Sequence, residues 1–357
     1  MILFAFLCGP ALAADVVVGP GETSNLGGDH NSISILIDGG TLKPSSDLSI
    51  GRFRNGVGIL DITNGGLAEL TGLVLGDGSS SGGAGEGYVN VYDGTLISAN
   101  GLILAYGGGK AWLYVGPNGN VVANGILLGD GGSVGSNGIS YGQVVVDGGS
   151  IQSLTTSSYN SNVVSSRTSE IVVKNSGTWV VSNVHGNDGI FSNSGSLSLE
   201  NGGSMLVATY AQYAFATMNF VLGAGLEDTI FTVLGDVYFN SAWANSIVFD
   251  FSDLDLQGSS DVFVGMTWGG TATGLNENLF NFGDWENYDA DKWSAEKIYD
   301  LVNGKIGVQY TWLGAGPSGE DDEPQPENPS GTPEPATLLM LGLGLGAIPF
   351  ARRFRKK

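Results

Sequence analysis

The sequence predicts an all-β fold, a right-handed parallel β-helix followed by a β-rich cap, on three observations. A Gly-terminated turn recurs at Gly40, Gly66, Gly94, Gly119, Gly149, Gly177 and Gly203, a mean spacing of about 27 residues. Short stretches of alternating apolar and polar residues run beside these turns, as in Gly58-Ile59-Leu60-Asp61-Ile62-Thr63. Glycine supplies 59 of 357 residues but lacks the every-third-residue period of a collagen helix.

Each unit opens with an alternating strand, here residues 58–63, 87–92, 111–115 and 142–146. It turns at its glycine, runs a second short strand and ends on a third, such as residues 73–78, 102–107 or 126–131. Three strands of about five residues with three turns account for roughly one 27-residue coil. One coil cannot bury its apolar side chains alone, whereas stacked coils place like residue over like at ~4.8 Å and build a continuous core. About seven coils over residues 15–206 would make a core roughly 34 Å long. Parallel crossovers are overwhelmingly right-handed, which sets the expected hand. Turns are expected at equivalent corners, where Gly and Asn or Asp can take φ > 0 without strain. Antiparallel hairpins at the Asn-Gly and Asp-Gly turns are the rival arrangement, and a propeller blade repeats at about 40 to 45 residues, too long for this spacing.

From about residue 207 to 315 the period fades and aromatic residues increase, from Phe215, Phe220 and Phe231 to Trp293 and Trp312. Alternation over 228–233, 247–251 and 262–266 still argues strands, so the segment reads as a nonrepeating cap over the open end of the solenoid, its aromatics filling a core rather than binding sugar. Ser294 to Val302 reads as a helix, with Ser294 as its N-cap.

The two ends carry export features. Residues 1–14 read as a signal peptide: Met1 to Leu7 are apolar, and Ala11-Leu12-Ala13 supplies the small-x-small pattern that signal peptidase accepts, with Ala11 and Ala13 as its recognition residues. Leu7 stands where a lipoprotein signal needs a small residue, so Cys8 is expected to leave with the peptide and the mature chain to use neither disulfide nor thiolate. Residues 316–331, GPSGEDDEPQPENPSG, have almost nothing to bury and read as an extended acidic linker. Residues 336–350 are apolar and uncharged, roughly 22 Å as a helix and so a short membrane span. The basic cluster Arg352, Arg353, Arg355, Lys356 and Lys357 follows, which anchors the topology with the body outside the cytoplasm.

Thr332-Pro333-Glu334-Pro335-Ala336-Thr337, the short apolar helix and the Arg-rich end together resemble a PEP-CTERM sorting signal over residues 332–357. The resemblance implies a Gram-negative, exopolysaccharide-producing host and an exosortase in the inner membrane that processes the tail near Pro333, Glu334 and Pro335. The coils, best at residues 58–66 with 73–78 and at 142–149, also resemble the repeat shared by type V secretion passengers and PEP-CTERM proteins, which implies an extracellular solenoid.

Charge and side-chain inventory narrow the function. The formal charge is −21, and without the five terminal basic residues nine Lys and Arg face 35 Asp and Glu, a balance near −26. Such a body repels nucleic acid and anionic lipid. His30 and His185 stand far apart, and no Ser lies in a Gly-x-Ser-x-Gly context, which argues against a Ser or Cys triad. The basic groups Arg52, Arg54, Lys110, Arg167 and Lys174 have no spacing that sets them apart. The Asp253–Gly258 loop with Asp261 resembles a calcium loop but has Val264 in place of the bidentate Glu, and residues 82–87 carry Gly where a calcium nonapeptide needs Asp. No catalytic residue, metal or cofactor is therefore expected. The expected function is an exported structural or adhesive protein of the cell envelope or exopolysaccharide matrix. Its partners would be signal peptidase, exosortase, and exopolysaccharide or other surface proteins. A polysaccharide-active lyase or hydrolase is the alternative, and a type V passenger would require a following membrane barrel.

Overall fold

A computed structural model describes residues 14–52, 55–78, 85–129, 140–155, 163–165, 168–183, 189–223, 229–240, 242, 244, 246–253, 260–281 and 293–313. The segment expected to be a signal peptide, through Ala13, the expected acidic linker and the apolar tail with its basic end lie outside these residues. No described helix is long and apolar enough to cross a membrane.

The chain winds as a β-solenoid with three parallel sheets, one strand from each per coil. Sheet A holds 11 strands, from Val16–Val18 to Phe280–Asn281. Sheet B holds 12 and begins at Thr23–Ser24, and sheet C holds 10 and begins at Gly28–His30. The opening strands anticipated from alternation are sheet A strands Val57–Thr63, Glu86–Val91, Lys110–Val115 and Tyr141–Asp147. The third strands are sheet C strands Leu73–Asp77, Leu102–Tyr106 and Ile126–Leu128. Hydrogen-bonded side chains at register partners are 21 residues apart at Ser196/Thr217, 24 at Glu86/Lys110 and 30 at Asn120/Ser150, so coil length varies around the sequence mean.

Alternation works because successive side chains point to opposite sheet faces. In Val57–Thr63 the inward Gly58, Leu60 and Ile62 are buried, while the residues between them face out. Register then stacks the inward positions: Ile35, Leu60, Val89, Leu113, Val144, Ile171 and Leu197 form one buried column up sheet A.

Two expectations are corrected. The coils do not stop at residue 206: sheet A continues in parallel through Thr217–Gly223, Ile247–Asp253 and Phe280–Asn281. The period fades there because inward positions change from aliphatic to aromatic, with Phe220, Phe231 and Phe249 fully buried. These rings fill the core, as anticipated, while Phe215 is exposed at a turn. Second, Ser294 to Val302 is not a helix. Trp293–Asp300 is a strand paired antiparallel with Lys305–Trp312, which pairs antiparallel with Ser260–Trp268. Ala295 and Tyr299 both pack against the core, and a four-residue separation suits a helix face and alternate strand positions equally, so cross-strand pairing decided the outcome. This hairpin is the antiparallel part of a stack whose other strand pairs are parallel.

The corners do hold Gly and Asn in the left-handed region, as expected, but at the position before the repeat glycine. None of the seven repeat glycines has positive φ. In six of the seven turns the left-handed residue comes immediately before: Gly39, Gly65, Asn118, Gly148, Ser176 or Gly202. The repeat glycine is needed for closeness instead. A Cβ at Gly66 would lie 2.6 Å from the Ile37 carbonyl oxygen, one at Gly119 2.2 Å from that of Val91, and one at Gly203 2.0 Å from that of Val173, each in the coil below. The glycine carbonyls form a ladder: Gly40, Gly66 and Gly94 accept from Leu67, Thr95 and Asn120 N–H at 2.9, 2.9 and 3.0 Å.

Candidate interaction face

The outer face of sheet A between Val57–Thr63 and Glu170–Lys174 brings aromatic, acidic and basic side chains together. Outward alternation in Glu86–Val91, Lys110–Val115 and Tyr141–Asp147 presents Tyr88, Trp112, Tyr114 and Tyr141. Parallel register puts Tyr88 against Trp112, and their rings stack at a 4.5 Å centroid distance and 4° interplanar angle. Tyr141 tilts against Trp112 at 6.0 Å, and the half-exposed Tyr92 against Tyr114 at 5.4 Å.

Acidic and amide groups rim the rings. Tyr88 donates to Glu86 at 3.2 Å, and Lys110 Nζ reaches the other Glu86 oxygen at 3.1 Å. Tyr141 and Gln143 both donate to Glu170 Oε2, at 3.0 and 2.7 Å. Tyr114 donates to Asp147 at 3.1 Å, Lys174 pairs with Asp147 at 3.7 Å, and Asn90 donates to Asp61 at 2.7 Å. Burial first, and then the adjoining carboxylate, push the phenols of Tyr88, Tyr114 and Tyr141 up to about 12. Four carboxylates thus share this face with two ammonium groups.

A second polar group lies on the sheet C side. Arg52 contacts Asp29 and lies 3.4 Å from Asp77, tying together the strands Gly28–His30, Leu48–Ile50 and Leu73–Asp77. His30 lies on the first of these strands, with its Nε2 buried and unpartnered. Among the described residues no group of three or more His, Cys, Asp or Glu is placed to hold a metal ion.

The residues anticipated from the sequence fall in three places. Gly40, Gly66, Gly94, Gly119, Gly149, Gly177 and Gly203 line the corner between sheets A and B, as packing positions. Lys110 and Lys174 join the aromatic face, and Arg52 sits between Asp29 and Asp77. Ala11, Ala13, Pro333, Glu334, Pro335, the terminal Arg and Lys residues, His185, Arg54, Arg167 and most of the 253–261 loop lie outside the described residues. The aromatic face itself escaped sequence reasoning. Its signal was present in Gly87-Tyr88-Val89-Asn90-Val91-Tyr92, whose even positions point outward, but only the register brings Trp112 over Tyr88.

Residues 332–356 match the PEP-CTERM protein-sorting motif. The tail is a PEP-CTERM sorting signal. Pro333, Glu334 and Pro335 fall inside the matched span, as do Arg352, Arg353, Arg355 and Lys356. The PEP-CTERM signal implies an exported protein whose precursor is membrane-anchored and whose processing partner is an exosortase. Neither a curated protein nor a solved structure is found to match the chain.

Proposed function

We propose that this chain is a building element of the cell envelope or extracellular matrix, exported past the inner membrane, cut near Pro333-Glu334-Pro335 by an exosortase and then held at the cell surface or in the matrix. Its apolar tail serves as a temporary transmembrane helix, with Arg352 to Lys357 on the cytoplasmic side. The observation that carries the reading is an uninterrupted stack of parallel coils in the same chain as a sorting signal. A solenoid stiffened by interior columns suits a load-bearing or adhesive part, and its right-handed winding follows the chirality of parallel crossovers. The role needs no turnover of substrate.

Intact-mass measurement and fractionation of the protein from cells with and without the exosortase test the sorting step. Loss of the tail only where the protease is present is expected. An unprocessed tail in both strains refutes it. The rival reading, a polysaccharide lyase or hydrolase, draws on the Asp29–Arg52–Asp77 group, which brings acid and base onto one edge of the rod. It requires glycan cleavage by the purified protein, abolished in Asp77→Asn.

A further inference from the structure

The geometry points to the outer face of sheet A around Tyr88, Trp112 and Tyr141 as a binding surface for a glycan that carries free amino groups. The inference rests on the structural and adhesive reading above and names the ligand class of that rod.

Three observations carry it. First, the face combines aromatic surface with hydrogen-bonding groups in a fixed pattern: one row runs Ile59, Tyr88, Trp112, Gln143 and Glu170 along successive coils. Coils repeat at ~4.8 Å, close to the advance of one pyranose unit, so a sugar chain lying along the axis meets the next coil's outward side chain at each step. Tyr88, Tyr114, Tyr141, Gln143 and Asn90 are already held by Glu86, Asp147, Glu170 and Asp61, so ordering them on binding costs little.

Second, the charge is wrong for most other partners. Asp61, Glu86, Asp147 and Glu170 outnumber Lys110 and Lys174 on this face, and the whole chain carries −21. Uronate-rich glycans, nucleic acid and anionic lipid are repelled, whereas an ammonium group is attracted by the carboxylates and by neighbouring π-systems. Third, protein interfaces deplete charged residues at their centre, while here Glu86 and Lys110 sit beside the stacked Tyr88 and Trp112. Interleaved rings and charges fit a polyhydroxylated, amino-bearing chain better than a protein surface.

The test is calorimetric titration of the full-length protein in mild detergent with three oligosaccharide probes of equal length: fully deacetylated β-1,4-glucosamine, its N-acetylated form and an oligouronate. The amino form is expected to bind at least about tenfold more tightly than the acetylated form, to weaken with salt, and to leave the uronate unbound. Glu86→Gln with Glu170→Gln keeps the shapes of both side chains and should lower the affinity for the amino form about tenfold, and that for the acetylated form by a clearly smaller factor. Trp112→Ala should remove binding, and Trp112→Phe should restore part of it, which separates lost contact from lost folding. Equal affinity for the amino and acetylated forms overturns the inference, as does undiminished binding by Trp112→Ala in a folded protein, or capture of an envelope protein through Trp112 with no glycan bound. None of these results bears on tail processing, so failure here and failure of the sorting reading are distinguishable.

Discussion

Replacing Gly66 by alanine puts a methyl group where the coil below already stands. The added Cβ would lie 2.6 Å from the Ile37 carbonyl oxygen, 2.9 Å from Ile37 Cγ2 and 3.0 Å from Thr63 O. Carbon–oxygen contacts settle at roughly 3.3–3.6 Å, so the turn must shift by about 0.7 Å or more. It is held by Gly66 N–H to Thr63 O at 2.8 Å and Leu67 N–H to Gly40 O at 2.9 Å, and a shift strains both bonds. Overpacking of this kind costs about 1–3 kcal/mol. At a urea slope of ~2–3 kcal/mol/M, a loss of ~2 kcal/mol lowers the unfolding midpoint by roughly 0.7–1 M. Circular dichroism across a urea series reads the midpoint, and hydrogen exchange at the Leu67 amide reports local opening of the corner. The sign is decisive: Gly66 has no positive φ, so without the steric conflict alanine would stabilise by about 0.4–1 kcal/mol through the unfolded chain. A Gly66→Ala midpoint at or above that of the wild type refutes the close-approach account.

Two further outcomes follow from the columns and the phenols. Leu60→Ala, inside the sheet A column between Ile35 and Val89, should cost about 2–5 kcal/mol, while Ile59→Ala, one residue along and facing out, should cost less than ~1 kcal/mol; equal losses in thermal melts would contradict the inward register. In an alkaline titration followed by tyrosinate absorbance, Tyr88, Tyr114 and Tyr141 should ionise near pH 12 rather than 10. The folded state favours the neutral phenol, so this stabilisation is complete below the ordinary tyrosine pKa near 10 and is lost as the pH rises to about 12. Subtracting the curves of Tyr88→Phe, Tyr114→Phe and Tyr141→Phe assigns them, and a phenol that titrates at 10 would show that neither its burial nor its carboxylate contact persists in solution.

Much of the repeat is local in origin, which is why it was legible. Val57–Thr63 needs only its own alternation to define an inward and an outward face, and the pattern Leu-x-Leu-Gly in residues 73–76 marks both a strand and the left-handed Gly76 that ends its straight run. The sorting tail was legible for a related reason, since membrane insertion and protease recognition read a short linear segment. Features that need two distant segments to meet are not legible in this way. The left-handed corner residues follow from the local turn chemistry, but the contact that requires Gly66 beside Ile37 exists only once one coil lies on another. Ser294 to Val302 looked helical because Ala295 and Tyr299 fit both periods, and its partner strand, not its own residues, settled the matter.

The amino-acid order alone therefore determined that the chain coils, which faces of its strands turn inward, and that its tail addresses it for export, because each follows from side-chain alternation or from a contiguous motif. Tertiary structure alone decided how far the coils run, why the corner glycines are required, and that Tyr88, Trp112 and Tyr141 gather on one carboxylate-rimmed face. Those outcomes depend on register between coils, and register is a sum of weak contacts between residues from 18 (Thr23/Thr41) to 37 (Ile126/Val163) positions apart that no local window contains.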